Sequence, residues 1–152
     1  MIPLALVVAN AGRARFFEAQ PSDAPRVKTV LVELESLDNP RLVDLGTSVT
    51  GRTRTETNTN RQAGPMHPMG AQRDRHRLEL ERRFSREIAK RSAAMTQGWT
   101  KGTLMLVAEP HMLGLLRETM RAGLQSGVAL KELAKDYTDL SPAELRDRLS
   151  ID

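Results

Sequence analysis

Six arginines crowd one stretch of the chain, and clustered cations of this kind can bind a phosphate backbone. Residues 51–77 hold six Lys or Arg against two Asp or Glu, residues 1–50 five against six, and residues 78–152 twelve against eleven. The middle stretch alone therefore matches the chain's net charge of +4. Because cations that neutralise phosphates release counterions, we predict contacts to RNA, or to anionic lipid, from Arg52, Arg54, Arg61, Arg73, Arg75 and Arg77.

A second candidate site lies where apolar runs end. Asn10 follows the run that opens the chain, and Glu109 and His111 follow the run 103–108. The carboxyl ends of strands form the usual ligand crevice of α/β sheets, so these three residues define a possible crevice. Glu109 has a competing role, because a carboxylate at a helix N-terminus accepts hydrogen bonds from its free amides.

Several classes of chemistry find no residues to support them. The chain has no cysteine, which excludes a disulfide framework and a thiol nucleophile. His67 and His76 fit no standard ligand spacing, so we predict no metal site and no cofactor. No Ser-His-Asp order or paired-carboxylate constellation stands out, which favours a binding module over an enzyme. With one Trp, one Tyr and three Phe there is no stacking platform for single strands.

The elements that position these residues begin with a hairpin. Residues 3–9 are a nearly continuous apolar run typical of a buried strand, and residues 10–12 supply a turn before a second strand. Residues 27–34 predict a third, antiparallel strand. Residues 36–71 then show no sustained period but many turn formers, so we predict a long basic loop that is mobile over about 46–71.

The second half alternates helices with strands. Apolar positions predict a helix over 72–96, a buried strand over 103–108 and a helix that opens at Glu109 and Pro110. Residues 128–137 fit either a strand or a short helix, and Ser141 with Glu144 forms a capping box. Residues 1–152 are thus expected to form a single α/β domain, with a mixed sheet of about five strands flanked by helices.

The opening apolar run does not fit an export signal. It lacks a positively charged leading region, and Arg13 and Arg15 follow it closely. No stretch approaches the roughly 18 apolar residues that a membrane span requires. We therefore expect a cytoplasmic protein without integral membrane association.

Segments along nearly the whole chain resemble the bacterial family of proteins required for attachment to host cells. They are LVVANAGRARFF at 6–17, GR at 51–52, RFSREIA at 83–89, LVAEPHMLGLLR at 106–117 and KDYTDL at 135–140. The chain departs from the family pattern at Asn10, where an aspartate is frequent, and at residues 48–52, where an Asp-x-Pro-Gly-Arg pattern is frequent. Those departures remove carboxylates that could act in catalysis in the family.

The family in turn resembles, more remotely, the middle domain of archaeal and eukaryotic class I release factors and of Pelota. In release factors a Gly-Gly-Gln tip lies in the loop before the long helix. Gly70, Ala71 and Gln72 stand at the corresponding place, with alanine where the second glycine would be. Alanine lacks the backbone freedom of glycine, so the resemblance implies RNA contact without release catalysis.

Three functions remain open from the sequence. The first is a non-catalytic module that contacts ribosomal or other structured RNA through the basic loop and adjoining helix. The second is a hydrolase with a site near Asn10, Glu109 and His111. The third is a protein-interaction regulator of cell-surface attachment, whose long loop orders on a partner. The sequence leaves the oligomeric state open.

Overall fold

The chain opens with three antiparallel strands, as the sequence predicts. In the computed structural model, which describes residues 2–39 and 66–151, these strands are β1 (Leu4–Ala9), β2 (Arg13–Pro21) and β3 (Thr29–Asp38). β2 pairs antiparallel with both β1 and β3. The predicted hairpin and the antiparallel third strand are thereby confirmed.

Helices and parallel strands make up the rest. They are α1 (Met66–Met95), β4 (Gly102–Ala108), α2 (Pro110–Gly123), β5 (Val128–Ala134) and α3 (Pro142–Arg148). The strand order is β3-β2-β1-β4-β5, and the β1–β4 and β4–β5 pairs are parallel. The result is a single α/β domain with a mixed five-stranded sheet, which confirms the predicted fold class.

β5 resolves the choice that the sequence leaves open at residues 128–137. This segment is a strand because it pairs with β4 at seven consecutive positions, from Gly102 opposite Val128 to Ala108 opposite Ala134. The pairing partner is distant in sequence, so local composition does not reveal it.

The predicted loop boundaries need correction at both ends. β3 continues to Asp38, and α1 begins at Met66 rather than at residue 72. Pro68 does not prevent this, because the first helical turn requires no amide hydrogen from it. Gly70, Ala71 and Gln72 therefore lie within α1 and not in a loop before it. Residues 46–65 of the predicted mobile loop lie outside the described residues.

The sheet is covered on both faces, which explains the unbroken apolar run of β1. On one face α1 and α2 supply a cluster that includes Phe84, Ile88 and Leu116. On the other face Leu145 of α3, fully buried, packs against Leu6 and Val8. Burying a side chain of this size stabilises the fold by about 1.5–3 kcal/mol.

Local signals fix the ends of the helices. Glu109 caps α2 and Ser141 with Glu144 forms the predicted capping box of α3. Gly98, with φ of 84°, follows the end of α1 and adopts a left-handed conformation that glycine allows. No helix in the described ranges is long and apolar enough to cross a membrane.

Candidate functional site

The carboxyl ends of the three parallel strands align at one edge of the sheet. Ala9 stands opposite Ala108, and Ala108 opposite Ala134. The backbone amide of Glu109 donates to the carbonyl of Ala9 at 3.3 Å. The residues that follow these strands are therefore neighbours, and Asn10 and Glu109 lie at the same edge.

Asn10 is at the centre of a closed hydrogen-bond network. Its Oδ1 accepts from the backbone amides of Gly12 and Arg13 at 2.9 and 2.8 Å, which closes the β1–β2 turn. Its Nδ2 donates to Oδ2 of Asp136 and to Oγ1 of Thr138, both at 3.1 Å. The side-chain oxygen of Asn10 thus binds the β1–β2 turn, and its side-chain nitrogen binds the segment after β5.

Asp136 and Thr138 complete this network from the segment after β5. Oδ1 of Asp136 accepts from the hydroxyl of Thr138 at 2.6 Å and from its backbone amide at 3.1 Å. Partial burial raises the pKa of Asp136, but hydrogen bonds from the Thr138 side chain, the Asn10 side chain and the Thr138 amide together outweigh it and lower the pKa. The ionised carboxylate is therefore the bound form at neutral pH.

Arg15 binds the same segment through its backbone carbonyls. Its guanidinium is buried, donates to the carbonyls of Thr138 and Leu140 at 3.0 and 2.5 Å, and pairs with Glu33. It also stands 4.9 Å from the centre of the Phe17 ring. Asn10 and Arg15 together attach the chain that leads to α3.

Glu109 and His111 have structural partners of their own. The two carboxylate oxygens of Glu109 accept from the amides of Met112 and His111 at 2.6 and 3.0 Å, as expected of an N-cap. Nε2 of His111 lies 2.7 Å from Oε2 of Glu81, a buried carboxylate on α1. His111 is therefore directed to α1 and not to the network around Asn10.

The crevice consequently has few groups available for chemistry. Asn10, Glu109 and Asp136 each use their side-chain oxygens within the fold. Among the side chains that the structure describes, those of residues 2–39 and 72–151, no group of three His, Asp or Glu could hold a metal ion. Sequence reasoning missed Asp136 and Thr138, although polar residues directly after a strand were the available signal.

The predicted arginines fall into two sets. Arg52, Arg54 and Arg61 lie outside the described residues, and Arg73, Arg75 and Arg77 stand in the first half of α1. Arg73 is partly buried and engaged within the protein. Nε of the exposed Arg77 is 3.5 Å from Oε1 of Glu81. Arg75 is exposed and forms no ion pair with a described residue.

Arg75 is the first of a row of exposed cations along α1, which the sequence prediction did not connect with it. The row consists of Arg75, Arg82, Arg86 and Lys90. Their spacings of seven, four and four residues place them on one face of the helix. We call these four residues the basic face of α1. At 1.5 Å per residue it extends about 22 Å.

The basic face is only lightly neutralised. Arg86 is 3.9 Å from Glu79, and Glu79 also pairs with Arg83 at 3.1 Å. Arg82 and Lys90 form no ion pair with a described residue. Residues 72–95 carry eight Lys or Arg against four Asp or Glu. The opposite side of α1 is buried through Leu80, Phe84 and Ile88, so the basic face is held outward by core packing.

The five aromatic residues of the chain all lie among the described residues and serve packing. The three phenylalanines are buried, Trp99 packs against the core, and Tyr137 packs against the opposite cluster.

Comparisons with known proteins give a distant structural likeness. The Aquifex aeolicus Ppx/GppA phosphatase, type II variant, is 13% identical, with a TM-score of 0.41 over 87% of this chain. The chain spans 36% of that phosphatase, and a likeness this distant carries no argument. The remoter resemblance to release factors stays a prediction. No curated protein matches the chain significantly.

The family comparison covers nearly the whole chain. The model of the family described as "Protein required for attachment to host cells" matches residues 5–149. These residues include every strand and helix of the described structure except Leu4, the first residue of β1. The chain belongs to the family of proteins required for attachment to host cells.

Proposed function

We propose that this protein is a non-catalytic cytoplasmic binding module that holds structured RNA by its phosphate backbone. The observation that carries the proposal is the basic face of α1, a row of exposed cations about 22 Å long of which Arg75, Arg82 and Lys90 have no ion pair with a described residue. Cations that are not neutralised internally are the ones that gain most from contact with phosphates.

The geometry favours the backbone of a folded RNA over the bases of a single strand. Single-strand binding without sequence preference relies on exposed aromatic rings beside a basic groove. The rings of this chain are buried or packed. A helix with regularly spaced cations instead matches a regular array of phosphates, which a duplex region presents.

The arginines of the preceding segment extend the same proposal. Arg52, Arg54 and Arg61 precede α1 in a stretch with only two Asp or Glu over residues 51–77. The remote resemblance to release-factor middle domains makes ribosomal RNA the first RNA to test. Hydrolysis of peptidyl-tRNA is not part of the proposal, because Ala71 stands at the middle position of the tip-like triplet and the triplet lies within α1.

Two other functions have less support. A hydrolase at the strand ends would need Asn10, Glu109 and His111 to face a substrate, whereas Asn10 and Glu109 bond within the fold and His111 pairs with Glu81. A protein-interaction regulator of attachment remains the alternative if no RNA binds. We propose RNA over a protein partner because the basic face consists of exposed cations, which bind phosphates, and not of exposed apolar side chains.

The test compares two triple variants of equal net charge. Replacing Arg75, Arg82 and Lys90 by Gln is expected to weaken binding to a fluorescent duplex RNA at least tenfold at low salt, because three phosphate contacts are lost. The control replaces Arg26, Lys28 and Lys101, exposed cations away from α1 and without an ion pair among the described residues. It is expected to bind nearly as wild type does. Equal loss in both variants would contradict the proposal, as would a wild type that binds no RNA.

A further inference from the structure

The two faces of the sheet are covered unequally by helices. On one face α2 packs against β4 and β5, and Leu104 and Leu106 of β4 are fully buried there. On the opposite face α3, the one helix that the described residues place there, packs against β3. Within residues 2–39 and 66–151, α3 therefore leaves most of β4 and β5 uncovered on this face.

Alternate residues of β4 and β5 form a strip on the uncovered face. Met105 and Val107 pack in the cluster around Leu145 of α3. Their partners on β5 are Lys131 and Leu133, which therefore share the α3 side. Val107 is buried, but the residues before it on β4 are half-exposed and those on β5 are exposed. We call the following residues the open strip: Thr103, Met105, Ala129, Lys131 and Leu133.

The open strip exposes apolar side chains and continues into a hollow. Leu133 is 37% and Ile2 53% exposed, and they are two of the three large hydrophobic side chains exposed in the described residues. A hollow of about 310 Å³ lies between the strip and residues 149–151, and its lining includes Ile2, Leu4, Met105, Lys131 and Ile151. Exposed apolar surface beside a concavity is typical of an interaction site.

The dimensions of the open strip suit one helix. β4 and β5 pair at seven positions, which gives a length of about 23 Å, and two neighbouring strands are about 10 Å wide. An α-helix is about 10 Å in diameter and covers this length with about 15 residues. A single amphipathic helix would therefore bury the apolar part of the strip.

The charge around the strip selects an acidic helix. Lys131 is exposed within the strip and forms no ion pair with a described residue. Lys101 directly precedes β4 and Lys135 directly follows β5, so further lysines without an ion pair in the described chain stand at the two ends of the strip. No Asp or Glu belongs to the strip, because Glu132 alternates to the other face and pairs there with Arg117 at 2.7 Å. The missing counter-charges are carboxylates.

The described helices of a second copy do not supply this acidic face. The exposed face of α1 is basic, and α2 exposes Glu118 together with Arg117 and Arg121. α3 has only seven residues, fewer than the length of the strip requires. A flat bilayer surface fits no better, because it does not reach the floor of a hollow. A helix of a different protein is therefore the occupant that fits.

We propose that the open strip binds an amphipathic helix of a partner protein, with apolar side chains against Met105 and Leu133 and acidic side chains against Lys131. The bound helix would complete the layer that α3 begins. The strip and the basic face of α1 lie on opposite sides of the sheet, so this contact is independent of RNA binding.

Two synthetic probes test the proposal. Each is a fluorescent helical peptide of about 15 residues with one stripe of leucines, and the positions beside the stripe are Glu in the acidic probe and Lys in the basic probe. Fluorescence anisotropy should show that the wild type binds the acidic probe about tenfold more tightly than the basic probe. A wild type that binds neither probe, or both equally, would overturn the proposal.

Two variants of the strip separate the charge from the apolar contact. Lys131→Glu is expected to remove the preference for the acidic probe, and Leu133→Gln to weaken binding about tenfold. The matched controls are Arg82→Glu, on the basic face of α1, and Leu34→Gln, at the exposed leucine beside Arg91 on the α1 side. The replaced side chains are exposed, so the melting temperatures should match wild type. If Arg82→Glu removes the preference and Lys131→Glu does not, the probe binds to α1 and the proposal is wrong.

Two further measurements examine the other occupants. Neither self-association in sedimentation velocity nor binding to vesicles of anionic phospholipid is expected to depend on Leu133. Self-association that Leu133→Gln abolishes would assign the strip to a second copy, and vesicle binding that it abolishes would assign the strip to a bilayer. Either result would overturn the proposal.

Discussion

Asp136 is the residue through which the turn after β1 and the segment after β5 are joined. It accepts from Asn10 and from both the hydroxyl and the amide of Thr138. Hydrogen bonds to a carboxylate are worth about 1.5–3 kcal/mol when buried, but Asp136 is largely exposed, so solvent screening reduces the contribution. Its role is to hold the two ends of the chain together at one corner of the sheet.

Asp136→Asn is expected to lower the free energy of unfolding at pH 7 by about 1 kcal/mol, because the new amide meets the donor of Asn10. The loss should depend on pH. A carboxyl whose folded pKa is lowered stabilises the protein above its unfolded pKa, about 3.9, and that stability disappears as pH falls through the folded value. Urea unfolding at neutral and acid pH measures the difference.

Asp139→Asn is the matched control for this prediction. Asp139 is exposed and has no hydrogen bond to a described residue, so its replacement should change stability little at either pH. A cost for Asp136→Asn that stays constant down to the lowest pH at which the protein folds would show that the carboxylate charge is unimportant.

At the residue scale, the sequence predicts only some of the residues that meet at this corner of the sheet. Asn10 and Glu109 are predictable as neighbours because each follows an apolar strand, and strand ends share an edge. Asp136 and Thr138 are not predictable as neighbours of Asn10. The sequence leaves open whether residues 128–137 form a strand or a helix, and therefore also where that strand would end and which residues would follow it. The side-chain pairing of Asn10 with Asp136 spans 126 positions and has no local pattern.

The turn into β5 is tightly restricted by space. A Cβ added at Gly127 would stand 1.8 Å from the carbonyl oxygen of Thr100, a backbone atom that cannot move aside cheaply. At Gly114, in the exposed part of α2, an added Cβ would have nothing within 4 Å. The same substitution should therefore act in opposite directions at these two sites.

Gly127→Ala is expected to destabilise the fold by about 1–3 kcal/mol or more, as overpacking against rigid structure does. Gly114→Ala should stabilise it by about 0.5–1 kcal/mol, because alanine has the higher helix propensity. Thermal unfolding of both variants checks the pair. A Gly127→Ala protein as stable as wild type would mean that residues 100 and 127 approach each other less closely than this turn requires.

The helix caps lie where local signals predict them, whereas the bounds of β3 and the strand character of β5 depend on partners that are distant in sequence. The capping box of α3 and the N-cap at Glu109 need only neighbouring residues. β3 is longer than predicted because its outer half is an exposed edge whose alternation is interrupted at Leu34. α1 begins earlier because Pro68 and Gly70, typical of loops, are tolerated at a helix start.

At the scale of the whole molecule, the sheet separates two layers. α1 and α2 cover one face of the sheet, from which the basic face of α1 projects, and α3 covers the other face. The phosphate contacts that we propose for this basic face would therefore all lie on the α1 side of the molecule.

The dependence of RNA affinity on salt tests the central claim, that the basic face of α1 binds phosphates. Each phosphate contact should contribute about 0.7–0.9 to the slope of log affinity against log salt concentration. We therefore predict that replacing Arg75, Arg82 and Lys90 by Gln reduces that slope by about two to three, while the Arg26, Lys28 and Lys101 control leaves it near the wild-type value. A slope that is the same in wild type and the α1 variant would place any RNA contact elsewhere and contradict the account.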